Sequence, residues 1–300
     1  MENILKESES VISYKVEETG LSVKDILINK LGISGRLTRK LFKRGAILLN
    51  NKRAKSGQIT GEDDVLTILM DDEYESNEPQ NVPIDIIYED YDVIIINKQP
   101  KVVVHPTKSH KDNTIANGLA NYFKKNNIKK KVRFVNRLDM NTSGVLVVAK
   151  NPFGHQQLAK QFKENKVEKR YLVVVEGIIK NNEGIINKPI GKDRENTIRN
   201  KVSENGKNAI TEYKVIERYK NATLVEVNIK TGRTHQIRVH LDHIGHPIIG
   251  DTLYNQSSNI IDRQALHSYI LRFKPPRKDN IIEVRAELPN DIKKLINFLK

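Results

Sequence analysis

Three groups of residues in this 300-residue chain have types and spacings suited to chemistry. The first is Asp139, the lone carboxylate of RFVNRLDMNTSGVLVVAK (133–150). It lies between Arg137 and a Thr-Ser-Gly that leads into an apolar run. Aspartate favours turns on its own account, because its side chain bonds the nearby backbone. A loop entering a rigid strand is also where catalytic groups are placed. The second group is GRTHQIRVH, with Arg233, His235, Arg238 and His240. Its two histidines are five apart with no acid between them, unlike the helical zinc motif, so no metal is expected. An arginine taken out of water needs a carboxylate against it. Its planar fork suits one, and Asp139 is the obvious partner for Arg238. The third is Tyr171 in KRYLVVVEG, an aromatic face and a hydroxyl within an apolar strand. Taken by itself, Tyr171 reads more simply as a core tyrosine.

Particular elements must position these residues. In VISYKVE (11–17) a short strand is expected. Ser22 suits the N-cap of a helix in VKDILINKL, and Ser34 that of GRLTRKLFKR. Gly45 fits the left-handed closing position of the second helix. Leu37, Leu41 and Phe42 can face inward, while Arg36, Arg39, Lys40, Lys43 and Arg44 make the helix basic. A turn at Asn50-Asn51 and the strand DDVLTILM complete a compact unit. The acidic stretch DDEYESNEPQNVP (71–83) reads as a linker. Beyond it come a strongly apolar strand from Val93 to Ile96, and a helix starting near Thr114. A second helix follows with Pro152 in its first turn and Leu158 and Phe162 on one face. KRYLVVVEG reads as a buried strand ending in Gly177, and a Gly- and Asn-rich excursion follows it. Two further strands, the GRTHQIRVH segment (helix or strand), the strand NIIEVRAEL and a short last helix follow. Many strands with few helices indicate an α+β fold. The expected domains are residues 1–75, a linker over 76–83, and 84–300.

Composition narrows the partners. The formal net charge is +14, which favours a polyanion. The chain has no cysteine, so thiol catalysis and disulfide frameworks are excluded. MENILKESES is not a signal peptide, and no run reaches the roughly 20 apolar residues of a membrane helix. A cytoplasmic protein is expected, with no membrane contact. No glycine-rich phosphate loop of either common type appears.

Four segments in order carry a resemblance: NRLDMNTSG (136–144), KRYLVVVEG (169–177), GRTHQIRVHLDHIGHPIIGD (232–251) and RQALHSYILRF (263–273). Over roughly residues 80–300 the chain resembles the RluA-type RNA pseudouridine synthases. Residues 15–70 more loosely resemble the S4 RNA-binding domain, in the position it holds in the members acting on large-subunit ribosomal RNA. The resemblance implies an isomerase that converts uridine to pseudouridine without a cofactor, on a mixed, mostly antiparallel sheet. It places the catalytic aspartate at Asp139 and the arginine beside the flipped-out nucleotide at Arg137. It places the base-stacking tyrosine at Tyr171 and the arginine pairing the carboxylate at Arg238. RNA contacts fall on Arg36, Arg39, Lys40, Lys43 and Arg44, with Arg233 near the site. The family's histidine before R-L-D is Asn136 here, and its K-P-A-G is Gln99-Pro100-Lys101-Val102. Both departures touch substrate subclass more than reaction.

The expected partner is structured RNA, large-subunit ribosomal RNA first and transfer RNA second, bound by a monomer with no obligate protein partner. A carboxylate can serve as nucleophile or as base, and the sequence does not choose between attack at C1′ and removal of a ribose proton. Two other readings compete. A non-catalytic RNA-binding or ribosome-assembly protein has no need of a carboxylate near phosphates. A methyltransferase would carry a glycine-rich cofactor loop. His105, His155, His235, His240, His243, His246 and His267 receive no separate catalytic role, and those beside Pro106 and Pro247 read as loop-fixing. The acidic linker further suggests that the catalytic part stands alone without residues 1–75.

Overall fold

Strand alternation builds the N-terminal unit. The computed structural model describes residues 4–70, 77–196 and 198–300, so the part of the linker reading that falls on 71–76 lies outside the described residues. Five antiparallel strands run in the order β1 (Ile4–Ser8), β2 (Val11–Lys15), β5 (Val65–Leu69), β3 (Ile47–Leu49), β4 (Lys52–Arg53). Register pairs Ile12 with Ile68 and Tyr14 with Leu66, and all four side chains are buried, as period-two alternation requires. The β3–β4 turn places Asn50 and Asn51 at φ 49° and 65°, a left-handed pair that asparagine tolerates.

Two helical segments cover one side of this sheet. Ser22 caps α1 (Val23–Asp25) by accepting from the Asp25 amide. The plain helix expected next is instead a π-helical turn over Ile26–Lys30. The wider turn lets the adjacent Ile26 and Leu27, together with Leu31, all reach the core. Ser34 caps α2 (Gly35–Lys43), and Gly45 follows at φ 64°. Leu41 is buried and Leu37 and Phe42 half-buried, while Arg36, Arg39, Lys40, Lys43 and Arg44 are all exposed.

The larger sheet runs β11 (Glu183–Asn187), β14 (Ile210–Arg218), β15 (Ala222–Ile229), β10 (Glu168–Glu176), β16 (Leu266–Phe273), β9 (Ser143–Ala149), β7 (Val93–Lys98), β6 (Ile86–Glu89). β17 (Ile282–Arg285) joins β16 and β8 (Arg133–Phe134) joins β9. Pairing is antiparallel except between β16 and β9, so the α+β, mostly antiparallel expectation holds. Four helices pack around it: α3 (Ile115–Lys125), capped by Thr114; α4 (Pro152–Lys163); α5 (Gln236–His243); and α6 (Asn290–Leu299). GRTHQIRVH is therefore a turn entering a helix. The polar excursion is more ordered than its composition suggests. It contains β11 and a two-stranded ribbon, β12 (Ile190–Lys192) with β13 (Asn200–Val202), whose short strands leave little hydrophobic pattern.

The two units are docked, which changes the expectation that the second stands alone. Phe153 of α4 is fully buried within the N-terminal core. Gln156 and Gln157 donate to the carbonyls of Gly32 (2.7 Å) and Leu31 (3.0 Å), and the Ser34 amide donates to Gln156 Oε1 (2.8 Å). Buried Lys150 pairs with Glu9 and Glu89, and buried Arg277 bonds the Val11 carbonyl and Asp92. Residues 77–83 lie against α3 rather than free, with Asn117 donating to the Glu78 carbonyl and the Gln80 amide to that of Asn117. Removing residues 1–75 would expose Phe153 and take one partner from each buried cation, Glu9 from Lys150 and the Val11 carbonyl from Arg277, while Glu89 and Asp92 stay.

Candidate active site

The turn before β9 is held from every side. The Thr142 amide donates to the Asp139 carbonyl at 3.0 Å. Gly144 follows at φ 107°, and a Cβ there would meet the Ser268 carbonyl oxygen of β16 at 2.0 Å, so only glycine fits. Asn136, the departure from the histidine pattern, accepts from the Val147 amide at 2.8 Å and ties the approach to β9. Beneath the turn, buried Lys98 donates to the Met140 carbonyl (2.9 Å) and the Gln99 carbonyl (2.7 Å). Buried Arg263 donates to the Asn141 carbonyl (3.0 Å) and forks onto Asp291. Burial pushes the Lys98 ammonium down to about 7, with the Arg263 charge adding to the effect and Asp139 opposing it.

Arg238 reaches this turn from α5. Its Nε and Nη2 donate to the two oxygens of Asp251, both at 2.7 Å, and its Nη1 donates to Asp139 Oδ2 at 3.1 Å across 99 residues of sequence. The expected Asp139–Arg238 contact is thus present, inside a triad whose third member, Asp251, the sequence does not single out. Asp251 is almost wholly buried. The signal for it was the fork itself, since five donors exceed what one carboxylate accepts. Burial opposes the Arg238 charge, but its bonds and proximity to Asp251 and Asp139 raise its pKa above the ordinary arginine value.

A cleft of about 590 Å³ opens over this triad, lined by Arg137, Asp139, Tyr171, Arg233, His235 and Arg238 among others. Arg137 and Arg233 are exposed, and Arg233 Nε donates to the Asn208 carbonyl at 2.9 Å. Tyr171 on β10 is nearly buried. Burial pushes its hydroxyl up to about 12, the Asp139 charge adding and a Ser268 hydrogen bond opposing, so it keeps its proton at neutral pH. Arg36, Arg39, Lys40, Lys43 and Arg44 do not line this cleft. If Tyr171 is a stacking wall, Tyr171→Phe keeps most RNA affinity. Tyr171→Leu loses roughly 1–3 kcal/mol, as for one stacked base. Titration of RNA binding checks this, and equal affinities for the Leu variant and wild type would make Tyr171 a core residue only.

Histidines divide into two groups. His240 bonds Thr211 and the Lys188 carbonyl, and His267 bonds Ser143 and the Ala286 carbonyl. Burial holds His267 down at about 4, and both are interior struts. His246, before Pro247, bonds the Glu176 carbonyl and fixes its loop. His105, before Pro106, instead lines the cleft and packs edge-on against Phe134. His235 has no role legible in the sequence, yet it stands at the cleft wall with Nε2 3.8 Å from Asp139 Oδ2. Among the described residues no cluster of His, Cys, Asp and Glu could hold a metal ion, and no helix is long and apolar enough to cross a membrane.

Comparison with known proteins matches residues 92–243 to the family described as RNA pseudouridylate synthase. The match begins beyond the N-terminal unit. An uncharacterised RNA pseudouridine synthase of Bacillus subtilis (strain 168), YjbO, is 38% identical over 270 residues, covering 89% of this chain and 95% of that protein. The ribosomal large subunit pseudouridine synthase D of Blochmanniella floridana is 38% identical over 239 residues, 74% of each. Among solved structures, human RNA pseudouridylate synthase domain containing 1 superposes with a TM-score of 0.59 at 27% identity, covering 73% of this chain and 96% of that one.

Proposed function

The chain belongs to the RNA pseudouridylate synthase family, and from that premise we propose that Asp139 is the carboxylate through which it isomerises uridine. As an RNA pseudouridine synthase it breaks the bond from uracil N1 to ribose C1′, turns the base, and joins C5 to C1′. C5 gives up its proton and N1 gains one, so atoms balance without a co-reactant. Attack at C1′ and removal of a ribose proton both require a fixed, unobstructed carboxylate oxygen at the ribose. The observation that carries this reading is the 3.1 Å contact of Arg238 with Asp139 Oδ2 inside the cleft. Tyr171 is the stacking wall for the base. Arg137, at the mouth, holds the strand from which the uridine is drawn, a displacement costing a few kcal/mol.

The substrate we assign is large-subunit ribosomal RNA, with transfer RNA second. The names of similar proteins support this, four of them ribosomal large subunit pseudouridine synthase D. We read residues 1–75 as an S4-like RNA-binding domain joined through 76–83 to a catalytic domain over 84–300, acting as a cytoplasmic monomer. The exposed face of Arg36, Arg39, Lys40, Lys43 and Arg44 then contacts phosphates, which position RNA without choosing the uridine. Replacing Arg36, Arg39 and Lys43 with Gln should flatten the dependence of log affinity on log salt by roughly 0.7–0.9 for each phosphate no longer neutralised. An unchanged slope would make this face ordinary solvated surface. Substrate choice is tested with transcripts tritiated at uridine C5. Tritium release from large-subunit RNA and little from transfer RNA supports the assignment, and the opposite pattern overturns it.

A further inference from the structure

His235 occupies an unusual backbone position. It starts α5 in the left-handed region, φ 57°, and its side chain makes no capping bond there. Such conformations cost energy and cluster where the surroundings over-determine a functional group. The ring instead bridges two partners. Nδ1 lies 3.1 Å from the Tyr254 hydroxyl and Nε2 lies 3.8 Å from Asp139 Oδ2.

The hydrogen bonds around Tyr254 suit one tautomer of the ring. The Asn200 amide donates to the Tyr254 hydroxyl at 2.9 Å. That oxygen accepts there, and its own proton is left to donate to His235 Nδ1 at 3.1 Å. A neutral imidazole accepting at Nδ1 carries its hydrogen on Nε2, the nitrogen that faces Asp139. Tyr254 has little freedom to do otherwise. It is buried, with the guanidinium of Arg199 4.9 Å and that of Arg238 5.0 Å from its ring centre. Burial lowers the His235 pKa, Arg238 and Lys192 adding and Asp139 and Asp251 opposing, which favours the neutral ring.

The two donors nearest Asp139, Arg238 Nη1 and His235 Nε2, address the same oxygen, Oδ2. Among the described residues none donates to Oδ1. We propose that His235, oriented by Tyr254, is a positioning residue that fixes the Asp139 carboxylate through Oδ2 and so turns Oδ1 toward the nucleotide. The separation is 3.8 Å, and this role requires it to close when RNA fills the cleft, as bonds that are long in a free enzyme tighten around substrate. Asn200 and Arg199 lie at the ribbon strand β13, so that ribbon becomes part of the same support. This inference rests on Asp139 being the reacting carboxylate.

The test uses the full chain, large-subunit RNA tritiated at uridine C5, and three variants. Asparagine tolerates the left-handed backbone but is too short to bridge Tyr254 and Asp139, so His235→Asn isolates the ring. Tyr254→Phe keeps the edge-to-face ring contact and removes the hydroxyl. Asp139→Asn controls the premise. His235→Asn should lower single-turnover rate at saturating RNA roughly a hundredfold, with RNA affinity and melting temperature near wild type. Tyr254→Phe should lose rate in the same way, to a smaller extent. Wild-type turnover in both variants, with Asp139→Asn inactive, overturns the His235 role alone. So does a loss confined to affinity or to melting temperature. Turnover retained by Asp139→Asn overturns the premise as well. Should His235→Asn fail to fold, full turnover by Tyr254→Phe still refutes the relay.

Discussion

Asp139→Asn is expected to abolish pseudouridine formation while leaving RNA bound. The substitution keeps size and removes the charge, so the turn closed by Thr142 and held by Lys98 and Arg263 persists. The rate should fall below about one part in a hundred, at least about 2.7 kcal/mol of barrier. Affinity should be equal or slightly higher, because a negative charge beside phosphates has gone. Single-turnover assays with a parallel binding titration measure both. A residual rate of more than a few per cent would remove Asp139 from the chemistry.

Arg238→Met should damage both turnover and stability. Two carboxylates, Asp139 and Asp251, share this guanidinium, and Asp251 has almost no access to water. Removing the cation leaves the Asp251 carboxylate buried without its guanidinium, at a cost of about 3–5 kcal/mol. Arg238→Lys restores the charge but not the fork, so it should recover part of the stability and little of the rate. Denaturant midpoints with turnover at saturating RNA separate these effects. A Met variant of wild-type stability would mean that water reaches the triad freely.

Local rules made much of this fold legible. Ser22, Ser34, Thr114 and Pro152 each mark a helix start where one occurs, because capping is a contact within a few residues. The Asp139–Arg238 contact was legible for a different reason, since a buried arginine demands a carboxylate wherever one lies in the chain. What escaped depends on long-range packing. Phe153 reads as a core residue of its own domain, and nothing nearby says that it enters the other. Lys98 and Arg263 look like surface cations until the fold places carbonyls over them. His235 sits in a polar turn whose left-handed backbone has no signature, because few non-glycine residues adopt it and most histidines do not. The ribbon of β12 and β13 is too short and polar for its pattern to register.

This chain is expected to make pseudouridine in large-subunit ribosomal RNA through Asp139. Position-specific mapping of pseudouridine tests it most directly, in total RNA from cells lacking the gene and from the same cells given back wild-type protein or Asp139→Asn. The predicted result is one or more large-subunit positions that revert to uridine without the gene, return with wild type, and stay uridine with the variant. An unchanged map without the gene, or full restoration by Asp139→Asn, would contradict it.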